Sequence, residues 1–89
     1  MYATRIETFG ENFRDRLKGD VLEAALAYAA YNEETLSLEI LCDHLVEYNC
    51  PITAEEYREL QSLISDMGID IKGPPYRYLK ENIIPRQAY

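Results

Sequence analysis

Apolar residues recur at spacings of three and four through most of this chain, the period of an amphipathic helix and not of a strand. Ile6, Phe9, Phe13 and Leu17 form one such series and predict a first helix within 1–18, running from Ala3 to Lys18 and weakened by Gly10. Gly19 supplies a stop and Asp20 a cap, with Glu23 three residues later in a capping-box relation. A second helix is therefore expected over 21–32, with Leu22, Ala25, Leu26 and Ala29 on its inner face.

Asn32-Glu33-Glu34-Thr35 interrupts the pattern, and Thr35 is placed to cap a third helix over 36–48. Leu38, Leu41, Cys42 and Leu45 fall on one side of it, and Leu36, Ile40 and Val46 widen the apolar arc, which predicts a central position. Asn49 is placed to end this helix, and Pro51 prevents its continuation. Thr53-Ala54-Glu55-Glu56 reads as a second capping box and opens a fourth helix over 54–67, with Tyr57, Leu60, Leu63, Ile64 and Met67 inside and Gly68 as a left-handed cap. The tail, 74–89, follows Gly73-Pro74-Pro75 and has little periodicity, although Tyr76, Leu79, Ile83 and Ile84 have the spacing to pack as a short helix. The expected fold is all-α: a single domain, a compact antiparallel bundle of four main helices with a short C-terminal tail or helix.

Eighty-nine residues, 47% hydrophobic and 28% charged, suffice for one modest core and lack the signature of disorder. No apolar run has the length of a membrane span, and Arg5, Glu7 and Glu11 interrupt the start where a signal peptide needs an apolar stretch. Both features predict a cytoplasmic protein, in which Cys42 and Cys50 stay reduced and serve as small hydrophobes.

The net charge of −7 is unevenly distributed. Residues 20–70 hold twelve acids and one base, Arg58, whereas residues 1–19 carry +1 and residues 71–89 carry +3. Glu39, Asp43 and Glu47 stack at i, i+4 and i+8 on the third helix, and Glu55, Glu59, Ser62 and Asp66 share the outer face of the fourth. Solvation alone accounts for isolated surface acids. An ordinary solvated helix mixes signs, however, because opposite charges four residues apart stabilise it and like charges destabilise it by about 0.2 to 0.5 kcal/mol. The sequence forgoes that gain repeatedly, which points to a field that steers a cationic partner and repels nucleic acid and anionic membranes. Of eight tyrosines, Tyr57 and Tyr28 are expected in the core with their hydroxyls at the surface, whereas Tyr31 and Tyr48, near helix ends, suit an anchor for Arg or Lys.

Signals for catalysis are poor. Exposed carboxylate stripes offer one wet environment, where acid–base work needs two that separate the pKa values. His44 projects onto the polar side of the third helix near Ser37, as a solvated histidine does. The eight-residue spacing of the cysteines fits no zinc pattern, and neither a glycine-rich phosphate loop nor an EF-hand is present, so no metal or cofactor is expected. An acyl carrier protein would need Asp-Ser-Leu at a helix start, but Ser37 follows Leu36. A DNA-reading helix would need bases that the helices after Asp20 lack.

The stretches Leu22-Glu23-Ala24-Ala25-Leu26-Ala27-Tyr28 through Asn32-Glu33, Leu38-Glu39-Ile40-Leu41-Cys42-Asp43-His44-Leu45 and Met67-Gly68-Ile69-Asp70 resemble the MafI family of bacterial immunity proteins. Members are similar in a helix pair whose second helix carries Leu-Glu-x-Leu-Cys-Asp, followed by a Tyr-containing helix ending near Met-Gly. The resemblance implies a protein, not an enzyme, made beside a secreted polymorphic toxin, often a nuclease, which it inhibits by direct binding, as in contact-dependent growth inhibition. From charge and exposure, the residues expected to meet the toxin's C-terminal domain are Glu33, Glu34, Glu39, Asp43, Glu47, Glu55, Glu59 and Asp66, with Tyr31 and Tyr48. The alternative is an acidic nucleic-acid mimic or adaptor that takes several basic proteins. Phe9, Phe13 and the tail aromatics suit either a core or a dimer seam, so a monomer or a weak dimer is expected.

Overall fold

Local hydrogen bonds set where each helix ends. In the computed structural model, which describes residues 1–84, α1 spans Ala3–Glu11, α2 Gly19–Ala30, α3 Glu34–Glu47 and α4 Ala54–Met67, followed by a 3-10 helix over Tyr76–Asn82. The fold is the expected all-α bundle. The predicted tail beyond residue 84 lies outside the described residues.

Three helices close in the same way. Asn32, Asn49 and Gly68 take φ of 62°, 51° and 72° after α2, α3 and α4. The next residue then donates back five places: Glu33 N to Tyr28 O at 2.9 Å, Cys50 N to Leu45 O at 2.8 Å and Ile69 N to Ile64 O at 3.0 Å. Short polar Asn and side-chain-free Gly are the residues that tolerate this backbone region. At the other end of α4, the Thr53 hydroxyl accepts from Glu56 N at 3.0 Å and Glu56 Oε1 accepts from Thr53 N at 2.9 Å, the expected capping box.

α1 starts at Ala3 as expected, but its end and the starts of α2 and α3 differ from the prediction. α1 stops at Glu11 instead of Lys18, and residues 12–16 continue as turns that still bury Phe13 and Leu17. The Arg16 backbone N–H bonds to Phe13 O at 2.9 Å, while its Nη2 takes the Asn12 carbonyl at 2.5 Å, a place a helix would give to that N–H. α2 begins at Gly19 without a side-chain cap, because Gly19 has no positive φ and Asp20 sits inside the first turn, accepting from Val21 N at 3.0 Å. Glu23 pairs with Arg14 and not with the helix start. Nor does Thr35 cap α3. The turn Tyr31–Glu33 is short enough that α3 starts at Glu34, with Glu33 at the cap position.

One core draws on every element: Ile6, Phe9 and Phe13 from the first segment, Leu22 and Ala25 from α2, Leu38, Leu41 and Leu45 from α3, Leu60, Leu63 and Ile64 from α4, and Tyr76 and Leu79 from the tail. Phe9, Phe13 and Tyr76 are thus core residues and form no seam on the surface. The radius of gyration, 12.3 Å, matches the value of about 12 Å for a compact chain of this size. Gly10 is where α1 meets α2: a Cβ there would stand 2.8 Å from Leu26 Cδ2. α3 is central as expected, packed against α1, α2 and the 3-10 helix. That position moves Ser37 off the polar side. It is fully buried, and its Oγ donates to Ala25 O across the α2–α3 contact at 2.8 Å.

The tail is held by one side chain and one strand-like bridge. Asn82 Nδ2 donates to Leu45 O and Cys50 O, each at 2.8 Å, at the end of α3. Ile52 N then bonds to Asn82 O at 3.0 Å and Ile84 N to Ile52 O at 2.8 Å, which makes an isolated parallel bridge between Ile52 and Ile83.

Candidate functional site

The predicted partner-binding acids divide into two groups once their neighbours are known. Glu34 Oε2 accepts from the α-amino group of Met1 at 2.8 Å, Tyr2 N at 2.7 Å and Ala3 N at 3.0 Å, so this side chain of α3 closes the open N-terminus of α1. The hydrogen bond from the α-amino group and those from the two backbone N–H groups hold its carboxyl below the ordinary range. Asp66 pairs with Arg5 at 2.8 Å. Of the acids outside the prediction, Glu23 pairs with Arg14, and Glu56 is clamped by Arg16. Every ion pair among the described residues uses a cation from residues 1–16, so the basic N-terminal segment neutralises part of the acidic middle.

Glu33, Glu39, Asp43, Glu47, Glu55 and Glu59 are exposed and meet no cation within 4.0 Å among the described residues. They do not form one face. α1 packs against both α3 and α4, and the two stripes border separate clefts. Glu55 and Glu59 rim a cleft of about 390 Å³ floored by Phe9 and shared with Glu56. Asp43 and Glu47 rim one of about 490 Å³ whose walls are Ile40, Val46, Pro74, Pro75 and Tyr78.

The α3 cleft also holds His44, which sequence projection placed among solvated side chains. Its ring lies 5.9 Å from that of Tyr48, and Nδ1 is shielded from solvent with no hydrogen-bond partner. The signal that could have found this is the width of the apolar arc of α3, which leaves His44 beside Ile40 and Val46. Tyr31 and Tyr48 are exposed to 79% and 53%, free to act as anchors. Tyr57 is buried as expected but its hydroxyl is buried too and unpartnered, whereas Tyr28 is exposed.

The chemistry on offer is recognition of positive charge. Asp43 and Glu47 supply acceptors, and Tyr78 and the prolines supply an apolar wall for the stem of a Lys or Arg. Both cysteines are buried and unbridged, and burial pushes both thiols up, which keeps them protonated. Among the described residues no cluster of three metal-ligating side chains occurs, and no helix is long and apolar enough to cross a membrane. Set beside known proteins, the chain matches no family model, no curated protein and no solved structure.

Proposed function

We propose that this chain is an immunity protein of the MafI kind, which binds and neutralises a basic toxin domain, a nuclease, through the α3 face. The observation that carries the reading is the unneutralised stripe Glu39, Asp43, Glu47, flanked by exposed Tyr48 and bordering an apolar cleft. The stripe spans about 12 Å along the helix, at 1.5 Å per residue. Each like-charged i, i+4 pair destabilises α3 by about 0.2 to 0.5 kcal/mol. Glu47 adds to this, since it lies in the last turn, at the negative end of the helix dipole. Stability given up at consecutive turns on one face is accounted for by a cationic partner that covers it. Glu33 and Tyr31, at the α2–α3 turn, extend the face, and Glu55 and Glu59 form a second acidic rim that accelerates encounter without belonging to the contact.

The test uses a nuclease domain encoded beside this gene, which this reading requires. Its association rate with the protein is expected to fall on the order of tenfold from low to physiological salt. Charge reversal at Glu39, Asp43 and Glu47 should abolish protection from the nuclease, and reversal at Glu55 and Glu59 should slow association only. Binding indifferent to salt and to the α3 reversal overturns the reading. Equal capture of several unrelated basic proteins favours a nucleic-acid mimic instead.

A further inference from the structure

The cations of the C-terminal third take no part in the acidic face, and among the described residues none of Lys72, Arg77 and Lys80 has a carboxylate within 4.0 Å. They are nevertheless gathered. Together with Tyr57 and Gln61 of α4 and with Ile71, they line a cleft of about 350 Å³ that contains no acidic side chain, in a chain of net charge −7. Three like charges around one cleft repel one another unless an anion sits between them.

Two further observations point to a ligand. Tyr57 is only 7% exposed, and its hydroxyl is shielded from solvent with no hydrogen-bond partner. A buried hydroxyl without a partner loses the hydrogen bonds it would make in water, and a ligand oxygen in the cleft would restore one once a lining side chain moves aside. Arg77 is already positioned: its guanidinium stacks 4.7 Å from the Tyr78 ring centroid, and Nη2 donates to the Tyr78 hydroxyl at 2.6 Å, leaving other N–H groups for an anion. Next to the cleft, and sharing Gln61 and Ile71 with it, lies a recess of about 270 Å³ walled by Ile64 and Ile69 and lined also by Ser65 and by Asp70, whose carboxylate accepts from Lys72 N at 2.9 Å.

We infer that this cleft binds a phosphate monoester, with the phosphoryl group between Lys72, Arg77 and Lys80 and the organic part over Ile71 in the adjoining recess. Three cations match a dianion better than a carboxylate, and the fork of a guanidinium suits a tetrahedral oxyanion. The site shares no lining residue with the cleft beside α3, although Arg77 is held by Tyr78, which walls that cleft.

The test is an amide NMR titration of the whole protein at physiological ionic strength, with inorganic phosphate, AMP and acetate as probes. Saturable shifts are expected at Tyr57, Gln61, Ile71, Lys72, Arg77 and Lys80, with AMP bound about tenfold more tightly than phosphate if the recess takes the ester's body. Lys72 and Lys80 are exposed, so the double variant K72Q/K80Q keeps the fold and should lose AMP affinity by on the order of tenfold or more. Y57F, which removes only the unmet hydroxyl, should bind AMP about threefold more weakly without a lower melting temperature. An absence of saturable shifts, acetate reproducing the phosphate pattern, or unchanged AMP affinity in K72Q/K80Q overturns the site.

Discussion

Arg16 closes on Glu56 with two parallel hydrogen bonds, Nη1 to Oε1 at 2.9 Å and Nη2 to Oε2 at 2.6 Å. The same carboxylate caps α4 through Thr53 N, and the same guanidinium reaches Pro51 O at 3.0 Å and lies 4.7 Å from the Phe13 ring centroid. One pair thus joins the turns after α1 to the loop before α4. E56A removes both the cap and the clamp and should destabilise the protein by about 2 kcal/mol. T53A removes the hydroxyl side of the capping box alone and should cost about 1 kcal/mol. Thermal melts check this, at about 4–8 °C per kcal/mol for a domain of this size.

Acid should unfold the protein through its depressed carboxylates. The Met1 amino group and then the Tyr2 N–H lower the Glu34 carboxyl below its ordinary 4.5. At Glu56, partial burial pushes the carboxyl up, but the Arg16 and Thr53 hydrogen bonds outweigh it and leave it below the ordinary value. A carboxyl depressed in the folded state binds its proton more readily when unfolded. Its contribution is therefore complete above 4.5 and is lost as pH falls through the folded-state value. E34Q should be less stable than the parent at neutral pH, and the two should converge in acid. Urea midpoints measured between roughly pH 7 and pH 2 test the convergence.

Asn82 is expected to fasten the tail. N82A leaves the Leu45 carbonyl with only its Cys50 bond and removes a bond to the Cys50 carbonyl, a loss of about 2 kcal/mol. Hydrogen exchange should accelerate first at the Ile52 and Ile84 amides, whose partners are Asn82 O and Ile52 O, before the α2 amides respond. Uniform acceleration across the chain would remove the local role.

Gly10 should resist alanine. The better helix propensity of Ala is worth about 1 kcal/mol, but its Cβ meets Leu26 Cδ2 at 2.8 Å, and overpacking at such contacts costs about 1–3 kcal/mol. A net loss of about 1 kcal/mol is expected for G10A alone. In an L26A background the same change should stabilise, a reversal of sign that a double-mutant cycle detects.

The stretch most legible in the sequence is 54–67, where both ends of α4 fall where they were predicted. Thr53, Glu56 and Gly68 act on backbone groups within one turn, so their chemistry is written in adjacent letters. The inner faces of α2 and α4 and the core side of α3 were largely legible for the same reason, since burial follows a period of 3.6 residues, whereas Phe13 and Leu17 are buried outside α1, Met67 is only partly buried and Leu36 is exposed. The stop at Glu11 was not, because the Arg16 side chain that competes for the Asn12 carbonyl is itself fixed by Glu56, 40 residues on. The tail escaped periodicity because its anchor, Asn82, bonds to carbonyls 37 and 32 residues earlier.

The sequence by itself determined that the middle of this chain is acidic, helical and amphipathic, and that Glu39, Asp43 and Glu47 share a helix face. Only the tertiary structure decided which acids keep an open field. Arg5 reaches Asp66 across 61 positions and the Met1 amino group reaches Glu34 across 33, while Lys72, Arg77 and Lys80 gather beside Tyr57 and leave the α3 stripe unpaired among the described residues. Helix formation and capping depend on atoms a few bonds apart along the chain. Charge pairing depends on distance through space, which the sequence order does not contain until the core has packed.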